Sequence, residues 1–410
     1  TGFLLHPDCS GRICAQKDSF MTSTLLPFDQ AEYDRRLLMT RMAMALAGLD
    51  ALFVSDPANM QWLTGYDAWT FNHHQGVIIL QDADPMWWGR QQDTQAAMHT
   101  VWMPEGCVIS YESDLVNSMD RHPIEDLARH ISGLGVQNLG IEMDSQHFSA
   151  KGFSVLLQVL PDVGFADATG MVNLQRAIKS APEIAFMRNA AAISDKVMDG
   201  VIKHADVGMA KNELVALAYR DAIQGIDDAR GDYPAIPPML SSGSNTNASL
   251  LTWSDQKLVA GEEMTFSFSG CYRRYHAPLC RTIFLGEVPD EIRRAEAVLI
   301  KSLDAGIIAA TSGRKVSDVA RALAGPLGHG PDRGVGYGGL IGVAYPPSVE
   351  DDVISVNADS EAVLEPNMTF HVSPSLNVLG ATIKIGQSIR ITDDGAAEIF
   401  GGLSQLIATK

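Results

Sequence analysis

The sequence predicts an α/β N-terminal domain followed by an α+β C-terminal domain. The chain has 410 residues, a length that suits two large domains or three small ones. Helical and strand patterns alternate in the first part, as in α/β domains, whereas long helices interrupt strand-rich segments in the second. We expect domains at 25–178 and 179–410, with residues 1–24 as a disordered tail.

The N-terminal domain is predicted to begin with an amphipathic helix. Apolar residues recur at helical spacing from Tyr33 to Leu46, and Gly48 ends the pattern. A short buried strand at 51–54 follows it. Further strands are predicted at 77–80, 86–88 and 140–142, and further helices at 123–131 and 149–160.

The second domain is predicted to open with a strong helix after the boundary at 178–182. Pro182 stands near its first turn with Glu183 directly behind, which is typical of a helix N-terminus. Two more helical stretches, 211–224 and 289–310, separate the strand-rich segments.

An internal repeat lies in the second domain. Met-Thr-Phe occurs at 264–266 and at 368–370, each time followed by a loop and a second strand, at 279–285 and 383–392. With a period of two, Ser267 and Ser269 share one face, as do His371 and Ser373. Duplicated hairpins with their polar faces around one pocket are one interpretation, and coincidence of a three-residue match is the other.

The composition limits the classes of function. Asp plus Glu outnumber Lys plus Arg by 49 to 31, and the formal net charge of −18 argues against a general nucleic-acid binder. The five cysteines form no zinc-type cluster and suggest a reducing compartment, which we expect to be the cytoplasm. No apolar run is long enough for a membrane span.

Several segments resemble the creatinase/aminopeptidase P superfamily. The resemblance is carried by the helix that opens with Pro182 and Glu183, the hairpin at 272–282 and the strand at 365–371. Within that superfamily the chain is most similar to the ectoine hydrolases. The matching stretches are Leu63-Thr64-Gly65-Tyr66-Asp67, Trp87-Trp88-Gly89-Arg90, Arg121-His122-Pro123, Gly231-Asp232-Tyr233-Pro234-Ala235-Ile236 and Ile341-Gly342-Val343-Ala344-Tyr345-Pro346-Pro347.

The resemblance implies a creatinase-type N-terminal domain, a C-terminal domain of the pita-bread fold and a homodimer. It also implies where the superfamily's peptidases bind two metal ions, with two Asp, one His and two Glu. The Asp positions fall on Ser267 and Pro278, the His position near 336–338, and the Glu positions on Ser373 and Lys384. We therefore expect no metal and no other cofactor.

Three residues are candidates for catalysis. His276 suits a base or hydrogen-bond donor, with a structural role in the hairpin as the equal alternative. His371 and Ser267 lie on the two repeated strands, where a Ser–His pair would make an activated hydroxyl nucleophile. A buried histidine without a chemical role is the alternative for His371.

Six residues are candidates for substrate binding. Arg281 would clamp a carboxylate, or else brace the fold through backbone carbonyls. Asp232 and Tyr233 lie in a Gly-Asp-Tyr-Pro loop, where Asp232 would face a cationic ligand or cap a turn. From the N-terminal domain, Trp69 and His74 offer surfaces for a cationic ligand, with domain-interface packing as the alternative. Tyr345 completes the set through the resemblance.

The function expected from these residues is a metal-independent hydrolase that resembles the ectoine hydrolases. It would cleave a non-peptide C–N bond in a small zwitterionic or cyclic amidine compound, without nucleic-acid or membrane partners. One alternative is a pita-bread protein without catalysis that binds a small ligand or a partner. The last is a dinuclear Xaa-Pro aminopeptidase.

Overall fold

The structure is a computed structural model that describes residues 26–248, 250–328 and 336–410. The tail expected at residues 1–24 lies outside these ranges. The chain divides into two units between Gln175 and Arg176, close to the boundary expected at 178–182. No helix among the described residues is both long and apolar enough to cross a membrane.

The N-terminal unit is a six-stranded mixed sheet with helices, as the alternating pattern predicts. The helices are α1 (Gln30–Leu46), α2 (Pro57–Thr64), α3 (Thr94–Thr100), α4 (Ile124–Gly133), α5 (Ala150–Val159) and α6 (Met171–Arg176). The strands are β1 (Ala51–Val54), β2 (Gly76–Leu80), β3 (Met86–Arg90), β4 (Val108–Tyr111), β5 (Asn138–Ile141) and β6 (Gly164–Asp167). Their order in the sheet is β4-β3-β2-β1-β5-β6, with β1 buried along its whole length.

The C-terminal unit contains four helices and eleven strands within the described residues. The helices are α7 (Ala181–His204), α8 (Lys211–Gln224), α9 (Asp290–Ala309) and α10 (Val316–Leu327). The strands are β7 (Met239–Ser242), β8 (Glu263–Tyr272), β9 (Tyr275–Phe284), β10 (Gly339–Ile341), β11 (Glu350–Ser355), β12 (Thr369–Val372), β13 (Ser375–Val378), β14 (Ala381–Lys384), β15 (Gln387–Arg390), β16 (Glu398–Ile399) and β17 (Ala408–Thr409). Helix α10 was not predicted from the sequence.

The first polar face belongs to the long hairpin β8–β9. Ser267 pairs with Cys280, with Thr265 opposite Thr282 on the same face. The other face carries Phe266, which packs in the core under α7 and α8. Helix α7 crosses this hairpin at Gly270, where an added Cβ would lie 2.1 Å from the Ala190 carbonyl oxygen.

The second polar face belongs to one continuous antiparallel ribbon, 369–378 with 381–390. His371 pairs with Ser388 in β12–β15, and Ser375 pairs with Lys384 in β13–β14, so both ladders keep the same register. Ser373 therefore stands opposite Gly386. The single strand predicted at 383–392 is interrupted between Lys384 and Gln387, where the chain leaves one ladder and joins the other.

Alternation divides this ribbon into two rows. The polar row consists of His371, Ser373, Ser375 and Asn377 on one side and Ser388, Gly386, Lys384 and Thr382 on the other. The core row consists of residues such as Phe370, Val372, Ile383, Ile385 and Ile389, which pack against α9 and α10.

The two polar faces meet along β9. The backbones of Cys280 and Gly386 exchange hydrogen bonds of 3.2 and 2.9 Å. On one side the Ser388 hydroxyl donates to the Pro278 carbonyl at 2.7 Å, and on the other Thr282 bonds the backbone of Lys384. The hairpins that contain the repeated Met-Thr-Phe motif are thus brought edge to edge.

Candidate functional site

Glu350 and His371 form a carboxylate–imidazole pair beside the two polar faces. The Nδ1 atom of His371 lies 3.0 Å from Oε1 of Glu350. A carboxylate accepts the hydrogen bond, so Nδ1 carries the proton and the Nε2 lone pair of a neutral ring is left for another partner. In the described part of the chain Nε2 is buried and has no hydrogen-bond partner.

The position of Glu350 follows from the order of the sheet. Strand β10 lies between β11, which starts with Glu350, and β12, which carries His371. Gly339 in β10 has no side chain, and an added Cβ would lie 3.2 Å from Oε2 of Glu350. The carboxylate therefore reaches across β10 to the imidazole.

The side chains of three residues converge on Gly386. A Cβ built on this glycine would lie 2.7 Å from Nε2 of His371, 2.8 Å from Cβ of Cys280 and 2.9 Å from Oγ of Ser373. The Ser373 hydroxyl is also buried and without a hydrogen-bond partner among the described residues. Buried polar atoms are normally satisfied, so two such atoms side by side indicate a place for a ligand or a water molecule.

Ser267 lies across Cys280 from this point. It is half-buried, and its cross-strand partner is Cys280. No hydrogen bond joins it to His371 within the residues that the structure describes. The structure thus brings Ser267 and His371 to the same polar region without making them a bonded pair.

His276 is engaged by backbone groups at both ring nitrogens. Nε2 accepts from the Ala235 N–H at 2.9 Å, and Nδ1 lies 2.9 Å from the Arg274 carbonyl oxygen, to which it donates. The side chain is fully buried, and burial lowers its pKa to about 3. This geometry favours the structural alternative, because neither nitrogen is left to exchange a proton with a substrate.

Arg281 is likewise engaged by the fold. Its guanidinium donates to the carbonyl oxygens of Cys280, Gly386, Ser404 and Leu403 and to Oε1 of Gln387. The side chain is 1% exposed. The bracing alternative is therefore favoured over a carboxylate clamp.

Asp232, Tyr233 and Tyr345 surround Arg274 in the β8–β9 turn. The Arg274 N–H donates to Oδ2 of Asp232 at 3.4 Å, while its guanidinium lies 3.5 Å from the centre of the Tyr233 ring and 5.7 Å from that of Tyr345. Arg273 and Arg274 both have positive φ, of 53° and 66°, which L-residues adopt at a cost. Asp232 and the two rings therefore support this strained turn.

Trp69 and His74 belong to the N-terminal unit. Trp69 is 62% exposed, with its ring 4.8 Å from that of Phe71. His74 packs against His122, with 4.7 Å between the ring centres and the rings tilted by 56°, and burial, with the neighbouring imidazoles, lowers its pKa to about 4. His74 is thus neutral near pH 7, and the Trp69 side chain is largely exposed to solvent.

Comparison with known proteins agrees with this architecture. The family described as Metallopeptidase family M24 matches residues 185–397, which is more than half of the chain. A second family, described as Creatinase/Prolidase N-terminal domain, matches residues 36–178. The chain belongs to metallopeptidase family M24.

Individual M24 relatives cover nearly the whole chain. Ectoine hydrolase of Halomonas elongata is 40% identical over 92% of this chain and 96% of its own length. The uncharacterized hydrolase/peptidase y4tM of Sinorhizobium fredii is 32% identical over 90% of this chain and 96% of its own. These relatives confirm the predicted resemblance.

Solved structures confirm the predicted fold. An Xaa-Pro dipeptidase from Bacillus anthracis superposes with a TM-score of 0.77 at 19% identity, over 92% of this chain and 100% of that one. Dipeptidase PepE from Mycobacterium ulcerans gives 0.78 at 20% identity, over 93% and 99%. The chain therefore has a creatinase-type N-terminal domain and a pita-bread C-terminal domain.

The residues at this site do not fit the metal ions that the M24 family description implies. Four of the five ligand positions that the resemblance implies hold Ser267, Pro278, Ser373 and Lys384, which provide no carboxylate, and the fifth, the His position near 336–338, falls on Gly-Tyr-Gly. In the ranges that the structure describes, no group of three or more His, Cys, Asp or Glu side chains is arranged to hold a metal ion. His371 and Glu350 bond each other, and two residues are too few for a dinuclear centre.

Sequence reasoning missed two members of the site. Glu350 was not a candidate, because it lies 21 residues from His371 on a strand that pairs with neither β8 nor β12. Cys280 was treated only as part of the hairpin motif. Its pairing with Ser267 follows from the position of the turn at 272–275, so the sequence could have predicted it by counting residues back along both strands.

Proposed function

We propose that this chain hydrolyses a C–N bond in a small zwitterionic or cyclic amidine compound, without a metal ion. Its relationship to ectoine hydrolase supports a hydrolase acting on a small compound. The observation that carries the proposal is the Glu350–His371 pair, whose second imidazole nitrogen is buried and unpartnered beside the Ser373 hydroxyl.

The chemistry proposed for this pair is proton transfer. His371 Nε2 removes a proton from a water molecule or a neighbouring hydroxyl, whose oxygen then adds to the amidine carbon. Glu350 holds the ring orientation and stabilises the imidazolium that forms. The imidazolium returns the proton to the leaving nitrogen as the C–N bond breaks. With water as the nucleophile this gives the amide and the amine directly. With a serine hydroxyl it leaves an imidate ester on the serine, which a water molecule then hydrolyses to the amide, restoring the hydroxyl, so that either route consumes one water.

Ser267 and Ser373 are the two hydroxyls proposed as candidates for the nucleophile. The side chains of Ser373 and His371 both lie next to Gly386, and Ser267 is the cross-strand partner of Cys280. Loss of activity in Ser373→Ala but not Ser267→Ala would assign the role to Ser373, and the reverse to Ser267. Full activity in both variants would leave water as the nucleophile.

Metal independence is part of the proposal. It is supported by the serine, proline and lysine at the ligand positions. A homodimer and a cytoplasmic location are also proposed, from the superfamily resemblance and from the sparse cysteines. The strongly negative net charge of −18 supports the absence of a nucleic-acid partner.

The test is hydrolysis of ectoine and of a panel of cyclic amidines and guanidino compounds, followed by NMR. Wild type is expected to release the ring-opened amide, and His371→Ala is expected to lose roughly 100- to 10,000-fold in kcat. His99→Ala is the matched control, because His99 is exposed on the N-terminal unit. Binding without turnover by wild type would contradict the proposal and favour a ligand-binding protein.

A further inference from the structure

Lys384 stands on the polar row next to the proposed catalytic group. Side chains on one face of a strand repeat every second residue, so Lys384 is the next position on that face after Gly386. Its cross-strand partner is Ser375, the neighbour of Ser373 on the same face. Two residues of strand correspond to roughly 7 Å, which places the base of Lys384 close to, but outside, the convergence at Gly386.

The backbone of Lys384 is held from both sides. Its N–H donates to Oγ1 of Thr282 at 2.8 Å, and the same hydroxyl lies 3.0 Å from its carbonyl oxygen. Ile383 and Ile385, on either side, are buried in the core. The direction of the Lys384 side chain is therefore fixed towards the polar face.

The ammonium of Lys384 forms no ion pair with any residue that the structure describes. It is half-buried, and among residues 26–248, 250–328 and 336–410 it makes no hydrogen bond or ion pair. The carboxylate that the site does contain, Glu350, is bonded to His371. A partly desolvated cation without a partner is unfavourable, although the chain carries 49 acidic residues that could have supplied one.

We infer that Lys384 binds the carboxylate of a zwitterionic substrate and directs its C–N bond towards His371. The inference rests on the proposed function. It identifies the substrate class as small cyclic compounds that carry a carboxylate on the same ring as the C–N bond that breaks. It also fills the role for which the sequence suggested Arg281, whose donors are all directed to backbone and Gln387 oxygens.

The probes are ectoine, which carries a carboxylate, and its carboxamide, which does not. Binding of each is measured by calorimetric titration to wild type, Lys384→Met and Lys384→Arg, with Lys301→Met as an exposed control. Circular dichroism and thermal unfolding establish that each variant is folded. Since loss of a charge-assisted hydrogen bond weakens binding substantially, Lys384→Met is expected to bind ectoine roughly 10- to 100-fold more weakly.

Comparing the affinities for ectoine and for its carboxamide distinguishes the loss of a carboxylate contact from a general loss of ligand binding. Lys384→Met should bind the carboxamide as wild type does, Lys384→Arg should retain most of the affinity for ectoine, and Lys301→Met should behave as wild type. Equal ectoine binding by wild type and Lys384→Met, or no ectoine binding by wild type, would overturn the inference. Ectoine bound through Lys384 but never hydrolysed would overturn the proposed function and support Lys384 as the carboxylate-binding residue of a ligand-binding protein.

Discussion

The carboxylate of Glu350 reaches across β10 to hold Nδ1 of His371 at 3.0 Å. The two residues come from strands that are not neighbours in the sheet, and Gly339 leaves the space between them open. This contact sets the tautomer of His371 and directs its other nitrogen to the Gly386 position.

Glu350→Gln should lower kcat with little change in KM. The amide keeps a hydrogen bond to the ring but no longer stabilises an imidazolium, so we expect a loss of roughly 10- to 1,000-fold. The pH profile of kcat should change as well, which a merely structural role would not cause. Asp352→Asn on the same strand is the control, since Asp352 is exposed; an equal loss there would remove the argument for Glu350 as a positioning residue.

Gly386→Ala should abolish activity and destabilise the fold. The added methyl group would lie 2.7 Å from Nε2 of His371 and 2.9 Å from Oγ of Ser373, both well inside van der Waals contact. We expect roughly 1–3 kcal/mol of destabilisation from overpacking. Gly325→Ala in α10, with no atom within 4 Å of its Cβ, is the control for urea unfolding and for kcat. Wild-type activity in Gly386→Ala would place the site elsewhere.

Burial of His276 predicts acid sensitivity of the fold. Its pKa falls from the usual 6.5 to about 3, so below pH 6.5 the unfolded chain binds a proton that the folded chain does not. The stabilisation is full above pH 6.5 and is lost progressively as the pH falls towards 3, by at most about 1.4 kcal/mol per pH unit from this group.

The measurement is urea unfolding of wild type and His276→Gln between pH 7 and pH 4. The variant should be less stable at pH 7, because the Ala235 N–H and the Arg274 carbonyl lose well-placed partners, yet lose less stability on acidification. His99→Gln should follow wild type. Identical slopes for wild type and His276→Gln would show that His276 does not titrate as its burial requires.

Arg281→Lys should destabilise the protein rather than weaken substrate binding selectively. Lysine cannot replace the planar set of donors that serves four backbone carbonyls and Gln387, so we expect a loss of roughly 2–4 kcal/mol in the free energy of unfolding. The exposed Arg294→Lys is the control. Unchanged stability together with a raised KM would support the carboxylate-clamp alternative.

Metal removal should leave activity intact. Dialysis against a chelator is expected to change kcat by less than about twofold, since no ligand position with a described side chain offers a carboxylate. Elemental analysis of the purified protein should find less than about one metal ion for every ten chains. Activity lost on chelation and restored by Mn²⁺, Co²⁺ or Zn²⁺ would contradict metal independence.

Much of the fold follows from local pattern. The position of helix α1 and the apolar run of β1 were predicted correctly. The apolar face of α1 was not, because Leu38, Met42 and Leu46 are exposed. Arg36 and Thr40 are buried instead, since the Arg36 guanidinium bonds the Trp62 carbonyl and the Thr40 hydroxyl bonds Gln175. The face shared by His371 and Ser373 also follows from alternation. Glu350 could not be placed in this way, because its proximity to His371 depends on the order β11-β10-β12, which no local pattern contains.

The roles of His276 and Arg281 were undecided in the sequence for a related reason. The sequence does not distinguish a histidine or arginine whose nitrogens face a substrate from one whose nitrogens bond backbone groups. Only the tertiary structure shows that Ala235, Arg274 and Gly386 supply those partners. By contrast, the absence of carboxylates at the expected metal positions can be recognised from the sequence alone, since serine, proline and lysine supply no carboxylate oxygens in any fold; metal independence itself stays a prediction.

The register stays the same along the whole ribbon 369–378 with 381–390. The residues that stabilise the ribbon and the residues that face the site are therefore different residues. Along each strand of the ribbon, the residues of the core row alternate with those of the polar row, so that no residue belongs to both. A change of ligand set on the polar row therefore need not alter a single core contact. Substitutions on the polar row of this M24 chain can therefore be tested for their effect on activity without disturbing the core that holds the ribbon in place.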